Sequence, residues 1–305
     1  MILAIETSHD DSSIAIYENK KVLWERTITQ TEFHKKFGGT VPEFAARKHF
    51  ENLHELVEEA NEKFDLSKLD HIAYTYMPGL VGSLHMGQLV ANGLGLALQK
   101  PVYKVNHMYA HIFAVEFEHS IEYPALALIV SGGHTQLWEL KDSLDIKLLG
   151  ETKDDAAGEV FDKVARKLEI GFPGGPAIQK IAKNNQEIDF RIKDDGTLNF
   201  SFSGLKTKVI NYIHNNKQKS NEIDKASIAY HFQESIVDLL ISKTEKAIKK
   251  VDPKSIILGG GVAANALLRK RFATIHRKVL IPSIKFTTDN AMMIAIRSDI
   301  VNGSK

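Results

Sequence analysis

His107 and His111 stand four residues apart in the segment NHMYAHIFA. On a helix that spacing turns both imidazoles to one face, as two histidine ligands of one metal ion require. The chain has 13 histidines in 305 residues, and roughly half of one such pair is expected by chance at that frequency. The spacing therefore leaves two readings open, a metal pair or two partly buried imidazoles bonded to main chain. The protease form of the motif, HExxH, needs a glutamate after the first histidine, and Met108 stands there. Without that carboxylate a zinc-bound water has no general base, which disfavours zinc-protease chemistry. Asp289 and Asn290 precede the last helical stretch. Capping alone explains Asp289 unless its carboxylate faces the histidine pair.

Three glycine turns offer main-chain amides to an anion. Ser131-Gly132-Gly133-His134-Thr135 follows an apolar run, and its small residues let N–H groups approach an anion closely; the same residues also suit an ordinary hairpin turn. Gly259-Gly260-Gly261 lies between a strand and a helix, where amides and the helix N-terminus favour phosphate. Gly174-Gly175 lies in the third, GFPGGP. None fits GxxxxGK[ST] or GxGxxG, so neither a P-loop nor a dinucleotide fingerprint is present. Asp154, Asp155, Glu159 and Asp162 gather before and within one helical stretch. The first two suit N-terminal capping, and Asp162, one turn on, is placed to reach a ribose hydroxyl. Basic runs at 206–219, 243–254 and 269–278 read first as solvated helix faces, with a combined phosphate-tracking surface for RNA as the alternative.

The elements that must position these residues alternate between strand and helix, which makes the chain α/β. Residues 2–6 and 13–17 form a hairpin around a polar turn, and 21–27 a third strand. Helical spacing of Phe44, Ala45, His49, Leu53, Leu56, Val57 and Ala60 predicts a helix over 42–64. A strand at 72–76, a helix at 82–98, a strand at 102–105 and a helix at 107–116 follow. LALIVSGGHTQLWEL then repeats the pattern of ILAIETSHDDSSIAIYE, an apolar strand, a small polar turn and a second apolar strand, which suggests duplication. Downstream lie helices at 157–168, about 204–215 and 227–250. A strand at 255–258, a helix start at 263–269, a strand at 279–281 and a closing helix at 289–302 complete the order. The restart predicts two domains facing each other across a cleft, 1–117 and 118–305, with the closing helix 289–305 returning to the first; the length agrees, at ~150 residues per domain.

Composition narrows the classes further. Thirty-nine basic and 38 acidic residues leave a net charge of +1, which excludes an acidic disordered chain and a histone-like binder. With no cysteine, disulfides, iron–sulfur clusters, cysteine-ligated zinc and thiol nucleophiles are ruled out. The N-terminus lacks a basic leader, so the expected compartment is cytoplasmic. Residues 72–99 carry no Asp, Glu, Lys or Arg, but Pro78 and the glycines at 79, 82, 87, 93 and 95 interrupt them. They are expected to form a buried strand, a turn and a helix packed closely through its glycines, and no membrane association follows.

In this order, IETSHDDSS, GGTVPEFAARKH, NHMYAHIFA, LIVSGGHTQL, AAGEVFDKVARKL, FPGGP, FSFSGLKT, LGGGVAANALLR and FTTDNAMMIA resemble the TsaD (formerly Gcp) family across nearly the whole chain. HMYAHIFA is closer to its bacterial branch. That resemblance implies a duplicated actin-like fold of the sugar-kinase and chaperone ATPase superfamily, two domains flanking a cleft. It implies transfer of a threonylcarbamoyl group from threonylcarbamoyl-AMP to N6 of adenosine 37 in tRNAs reading A-starting codons, forming t6A and releasing AMP. It implies His107, His111 and Asp289 as ligands of one divalent metal, Fe2+ ahead of Zn2+. Ile129, Val130, Ser131, Gly132 and Gly133 would hold the intermediate, Asp162 and Gly175 its ribose and adenine region, and Asn265 the same pocket. His134 and Asp10 are the candidates for taking the N6 proton. The implied partners are tRNA, a TsaB-like paralogue, a TsaE-like ATPase and a TsaC-like supplier of the intermediate. The family often has IETSCDET where this chain has His9 and Asp11, and some members carry an acid where Gln179 stands. The alternatives are a non-catalytic partner subunit of the same complex, whose known form lacks the metal histidines, and an ATPase or kinase of the same fold.

Overall fold

The structure, a computed structural model, describes residues 1–302 except 38, 194, 220 and 221. Gly38 of the GGTVPEFAARKH segment and positions 303–305, which the sequence reading counts with the closing helix, lie outside the described residues. The chain forms two compact units, one from Met1–Ser120 with the segment from Pro282 onward, the other from Ile121–Ile281.

The first unit is built on a five-stranded sheet of β1 (Ile2–Glu6), β2 (Asp11–Glu18), β3 (Lys21–Thr29), β4 (His71–Met77) and β5 (Val102–Asn106). Their order is β3-β2-β1-β4-β5. The β1–β2 and β2–β3 pairs are antiparallel, whereas β1–β4 and β4–β5 are parallel. All five residues of β1 are buried, as a near-continuous apolar run requires at the centre of a covered sheet. Its helices are α1 (Thr31–Lys35), α2 (Pro42–Lys63), α3 (Val81–Leu98) and α4 (His107–Phe113). Pro42 opens α2 at a position where its missing N–H costs nothing, and Leu53 and Leu56 of this helix join β1 and β2 in one core. The glycines of α3 are there for contact: a Cβ on Gly87 would lie 2.3 Å from Thr7 Oγ1, and one on Gly95 2.3 Å from Val102 Cγ2. The closing helix Ala291–Asn302 packs Met293, Ile294 and Ala295 onto Ala4, Ala15, Ala73 and Ala110, whose small side chains let it lie close to the sheet.

The second unit repeats the plan. Strands β6 (Ala125–Val130), β7 (Thr135–Leu140), β8 (Ile146–Glu151), β9 (Ser255–Gly259) and β10 (Val279–Leu280) lie in the order β8-β7-β6-β9-β10. Again the first three form an antiparallel meander and the last two run parallel to the third. Its helices are α5 (Ala157–Leu168), α6 (Gly174–Ile181), α7 (Ser203–Gln218), α8 (Lys225–Val251) and α9 (Ala266–Phe272), so the closing helix is α10. Val160, Phe161 and Val164 of α5 share a core with Phe232 and Ile236 of α8, and the Phe161 and Phe232 rings meet edge to face at 5.3 Å.

The structure departs from sequence expectation in four places. Strand β8 was not anticipated; its burial shows no clean alternation, as an edge strand's can. Helix α1, five residues long, lies below the length at which periodicity shows. The helix expected over 107–116 stops at Phe113 and tightens into the 3-10 turn Ala114–Phe117. GFPGGP is not wholly a turn, because α6 begins inside it at Gly174. A Cβ on Gly174 would lie 2.4 Å from Phe161 O, so this glycine serves the packing of α6 on α5.

Candidate metal centre

Helix α4 starts abruptly after β5, and Asn106 makes that start. Its side-chain oxygen accepts from the N–H groups of Met108 (2.9 Å) and Tyr109 (3.2 Å), a standard N-cap. His107 is thereby the first helical residue and His111 lies one turn on, both buried. Their rings meet edge to face at 4.6 Å. The third group comes from the chain just before α10. There Asn290, not Asp289, does the capping: its Oδ1 accepts from Met293 N at 3.0 Å, while Ala291 N donates to Ser13 Oγ at 2.9 Å. Asp289 is left to face the histidines, with Oδ1 3.0 Å from His111 Nε2 and 3.5 Å from His107 Nε2. Ligand atoms of the three residues all lie within 4.8 Å of one another, and among the described residues this is the one such set. The reading of two imidazoles bonded to main chain does not describe this pair.

Behind the set stands a residue not singled out from the sequence. Glu6 ends β1 and is fully buried. Its Oε2 lies 3.2 Å from His107 Nδ1 and accepts from Thr75 Oγ1, while Oε1 accepts from Ser8 N at 2.5 Å. The only sequence signal was an acid closing the apolar run ILAIE, and 101 positions separate it from His107.

The charges suit a cation. Burial opposes the His107 imidazolium, but Glu6 and Asp289 outweigh it and push the group up to about 9. Burial and the neighbouring His107 hold His111 below its usual value. Burial would raise Asp289, yet His107 and His111 keep it well below the ordinary carboxylate range; Glu6 is lowered against its own burial chiefly by His107. Two carboxylates, one imidazolium and one neutral imidazole leave the cluster at −1. A divalent ion in place of the His107 proton balances the two carboxylates. Two imidazole nitrogens and a carboxylate form the donor set that suits Fe2+ or Zn2+, so the residues present fit the implied metal.

His9 does not join the set; its half-exposed ring pairs through Nδ1 with Asp10 Oδ1 at 2.5 Å. Asp11 lines a cavity of about 450 Å³ together with Glu25, Thr27, Thr288, Asp289 and Asn290. Burial pushes its carboxyl up to about 6, and its Oδ1 has no protein partner.

In the second unit, the Ser131–Thr135 turn and the triple-glycine turn leave neighbouring parallel strands at the same end, since Ile129 pairs with Gly259. Open α/β sheets bind ligands at this end. Ile129 and Val130 are wholly buried in β6, so they carry the turn and keep their side chains in the core. Ser131 N donates to His134 O, and His134 N to Ser131 Oγ. Gly132 and Gly133 leave open space where a Cβ would be, whereas one on Gly158 would lie 2.7 Å from Gly132 Cα. The amides of Gly158 and Glu159 donate to the carbonyls of Ser131 and Gly132, and Ala157 N to Thr135 Oγ1.

Those bonds overturn the capping expectation for Asp154 and Asp155, because the turn already satisfies the start of α5. Asp154 instead accepts from Phe202 N and Ser201 Oγ at the start of α7, and Asp155 sits between Lys163 and Lys206. Asp162 Oδ1 accepts from Gly174 N at 2.6 Å and so caps α6. Gly175 beside it has open space at its Cβ position. Asn265 caps α9 through Leu268 N and donates to Gln233 Oε1. Gln179 Oε1 accepts from Ala266 N at 2.8 Å, a bond a carboxylate would also accept, so this departure preserves the local contact.

A family model described as TsaD: tRNA N6-adenosine threonylcarbamoyltransferase matches residues 21–296. The curated protein of that name from Mycoplasma mobile is 50% identical over 298 residues, covering 97% of this chain and 96% of its own. That from Bacillus subtilis is 45% identical over 311 residues, covering 98% and 90%. This chain belongs to the TsaD family. Solved structures agree on the fold: HypF of T. kodakarensis superposes with a TM-score of 0.66 at 13% identity, over 99% of this chain and 47% of that one. Component A of Acidaminococcus fermentans (R)-2-hydroxyglutaryl-CoA dehydratase gives 0.59 at 14%, over 97% and 96%. With two sheets of matching topology, the fold is a duplicated actin-like one.

Proposed function

We infer that this TsaD-family chain carries the activity its family is named for, transfer of a threonylcarbamoyl group to N6 of an adenosine in tRNA. Family membership along nearly the whole chain carries the reading, and the assembled His107, His111 and Asp289 set supports it. We propose threonylcarbamoyl-AMP as donor and adenosine 37 of tRNAs reading A-starting codons as acceptor. The N6 amine attacks the carbamoyl carbon, the bond from that carbon to the phosphate oxygen breaks, and t6A and AMP result. His107, His111 and Asp289 would hold Fe2+, with Zn2+ second; a bound ion would supply Lewis-acid chemistry. The Ser131–Gly133 and Gly259–Gly261 turns would face the phosphate with main-chain amides. Asp162, Gly175 and Asn265 would contact the nucleoside. His134 or Asp10 would take the N6 proton. A TsaB-like paralogue and a TsaE-like ATPase are the proposed partners, with a TsaC-like enzyme supplying the donor.

Nucleoside mass spectrometry tests the reading. Unmodified tRNA incubated with the chain, threonylcarbamoyl-AMP and both partners should yield t6A. No t6A, with partners proven active beside an established TsaD enzyme, would contradict it. Steady ATP turnover without tRNA would point to the kinase reading instead.

A further inference from the structure

We propose that Glu6 is a positioning residue for the metal centre, its carboxylate holding the His107 ring so that Nε2 is presented to the ion. The inference rests on the metal reading above and adds a residue to it. Glu6 lies at the end of the central strand β1, and the Ile5–Tyr74 pairing of β1 with β4 sets it beside Thr75. Its carboxylate is fixed from three sides, by Ser8 N, Thr75 Oγ1 and His107 Nδ1. A fully buried carboxylate persists only where such donors replace its water. Accepting at Nδ1 puts the His107 proton on that nitrogen and leaves the Nε2 lone pair for a cation. Metal-binding histidines are commonly held this way, and loss of the outer partner costs about 10–100-fold in metal affinity. The second histidine has no counterpart: His111 Nδ1 is buried with no protein partner. The protein thus holds the Nδ1 side of one imidazole with a charged group, while the other meets a carboxylate only at Nε2, through Asp289. A purely structural role for Glu6 predicts something else, a loss of stability with unchanged affinity per folded molecule.

Co2+ titration of the metal-free full-length chain separates the two, read by its visible d–d band and apparent Kd. Far-UV circular dichroism reports folding in parallel. E6Q keeps the shape and an acceptor oxygen but removes the charge. It should raise the Kd about 10–100-fold and alter the band while the chain stays folded. T75V leaves the charge and removes one of the three donors, and should raise the Kd measurably but by less than about 10-fold. E6Q folded with wild-type Kd and band overturns the proposal. If E6Q does not fold, T75V decides, and a wild-type Kd there overturns it. A wild-type chain that shows no Co2+ band overturns the metal reading itself, and the role of Glu6 with it.

Discussion

Among single residues, the sharpest expectations concern ionisation. His107 titrates at about 9 in the metal-free fold against 6.5 ordinarily. A histidine raised on folding contributes stability that is full below its unfolded value and lost as pH rises through the folded one. The melting temperature of metal-free protein should therefore fall between pH 7 and 9.5, and His107→Ala should flatten that slope. A scanning-calorimetry series in which both proteins share one pH profile would contradict this. Asp11 has the opposite sense. Its carboxyl is raised to about 6 from 3.8, so above pH 6 ionisation works against folding. Asp11→Asn should stabilise the chain by about 1–3 kcal/mol at pH 7.5, with the gain shrinking towards pH 4. Denaturant melts at the two pH values check it, and a destabilised variant at pH 7.5 would show that the charge is compensated.

At the level of elements, two glycines close to one another should behave differently. Gly158→Ala pushes a Cβ to within 2.7 Å of Gly132 Cα and Ser131 O, and should cost about 1–3 kcal/mol of stability as α5 is forced off the turn. Gly132→Ala meets open space, so its melt should stay within about 0.5 kcal/mol of wild type. Equal losses from both would show that the turn is not set by this packing. Asn106→Ala removes the cap of α4 and should cost about 0.5–2 kcal/mol. Chemical melts measure it, and an unchanged midpoint would mean the helix start is held elsewhere. Most elements were legible because their apolar spacing is strong, as in the ILAIE strand and the Ala45–Ala60 face. The His107–His111 spacing was legible as well, being local to one helix. What spacing alone could not deliver was long-range: Asp289 turns to the histidines only because Asn290 takes over the cap, and Glu6 reaches His107 across two neighbouring strands. Asp154 was misread because the carbonyls that cap α5 come from a different turn.

For the whole molecule, the duplicated sheets place the metal set in one unit and the glycine turns in the other. Among the described residues no helix is long and apolar enough to cross a membrane. The basic runs at 206–219, 243–254 and 269–278 all lie in the second unit. The central claim, that transfer of threonylcarbamoyl to tRNA depends on a metal at His107, His111 and Asp289, is tested most directly by removing and restoring the ion. The chain would be stripped with a chelator, dialysed, and assayed for t6A by nucleoside mass spectrometry with donor, tRNA and partners present. Beside it would run a His107→Ala/His111→Ala variant treated alike. The account predicts that stripping abolishes t6A formation, that Fe2+ or Zn2+ restores it to the wild-type chain, and that neither ion restores the variant. Undiminished t6A from the stripped wild type and from the variant would contradict it, leaving the transfer but taking the metal out of it.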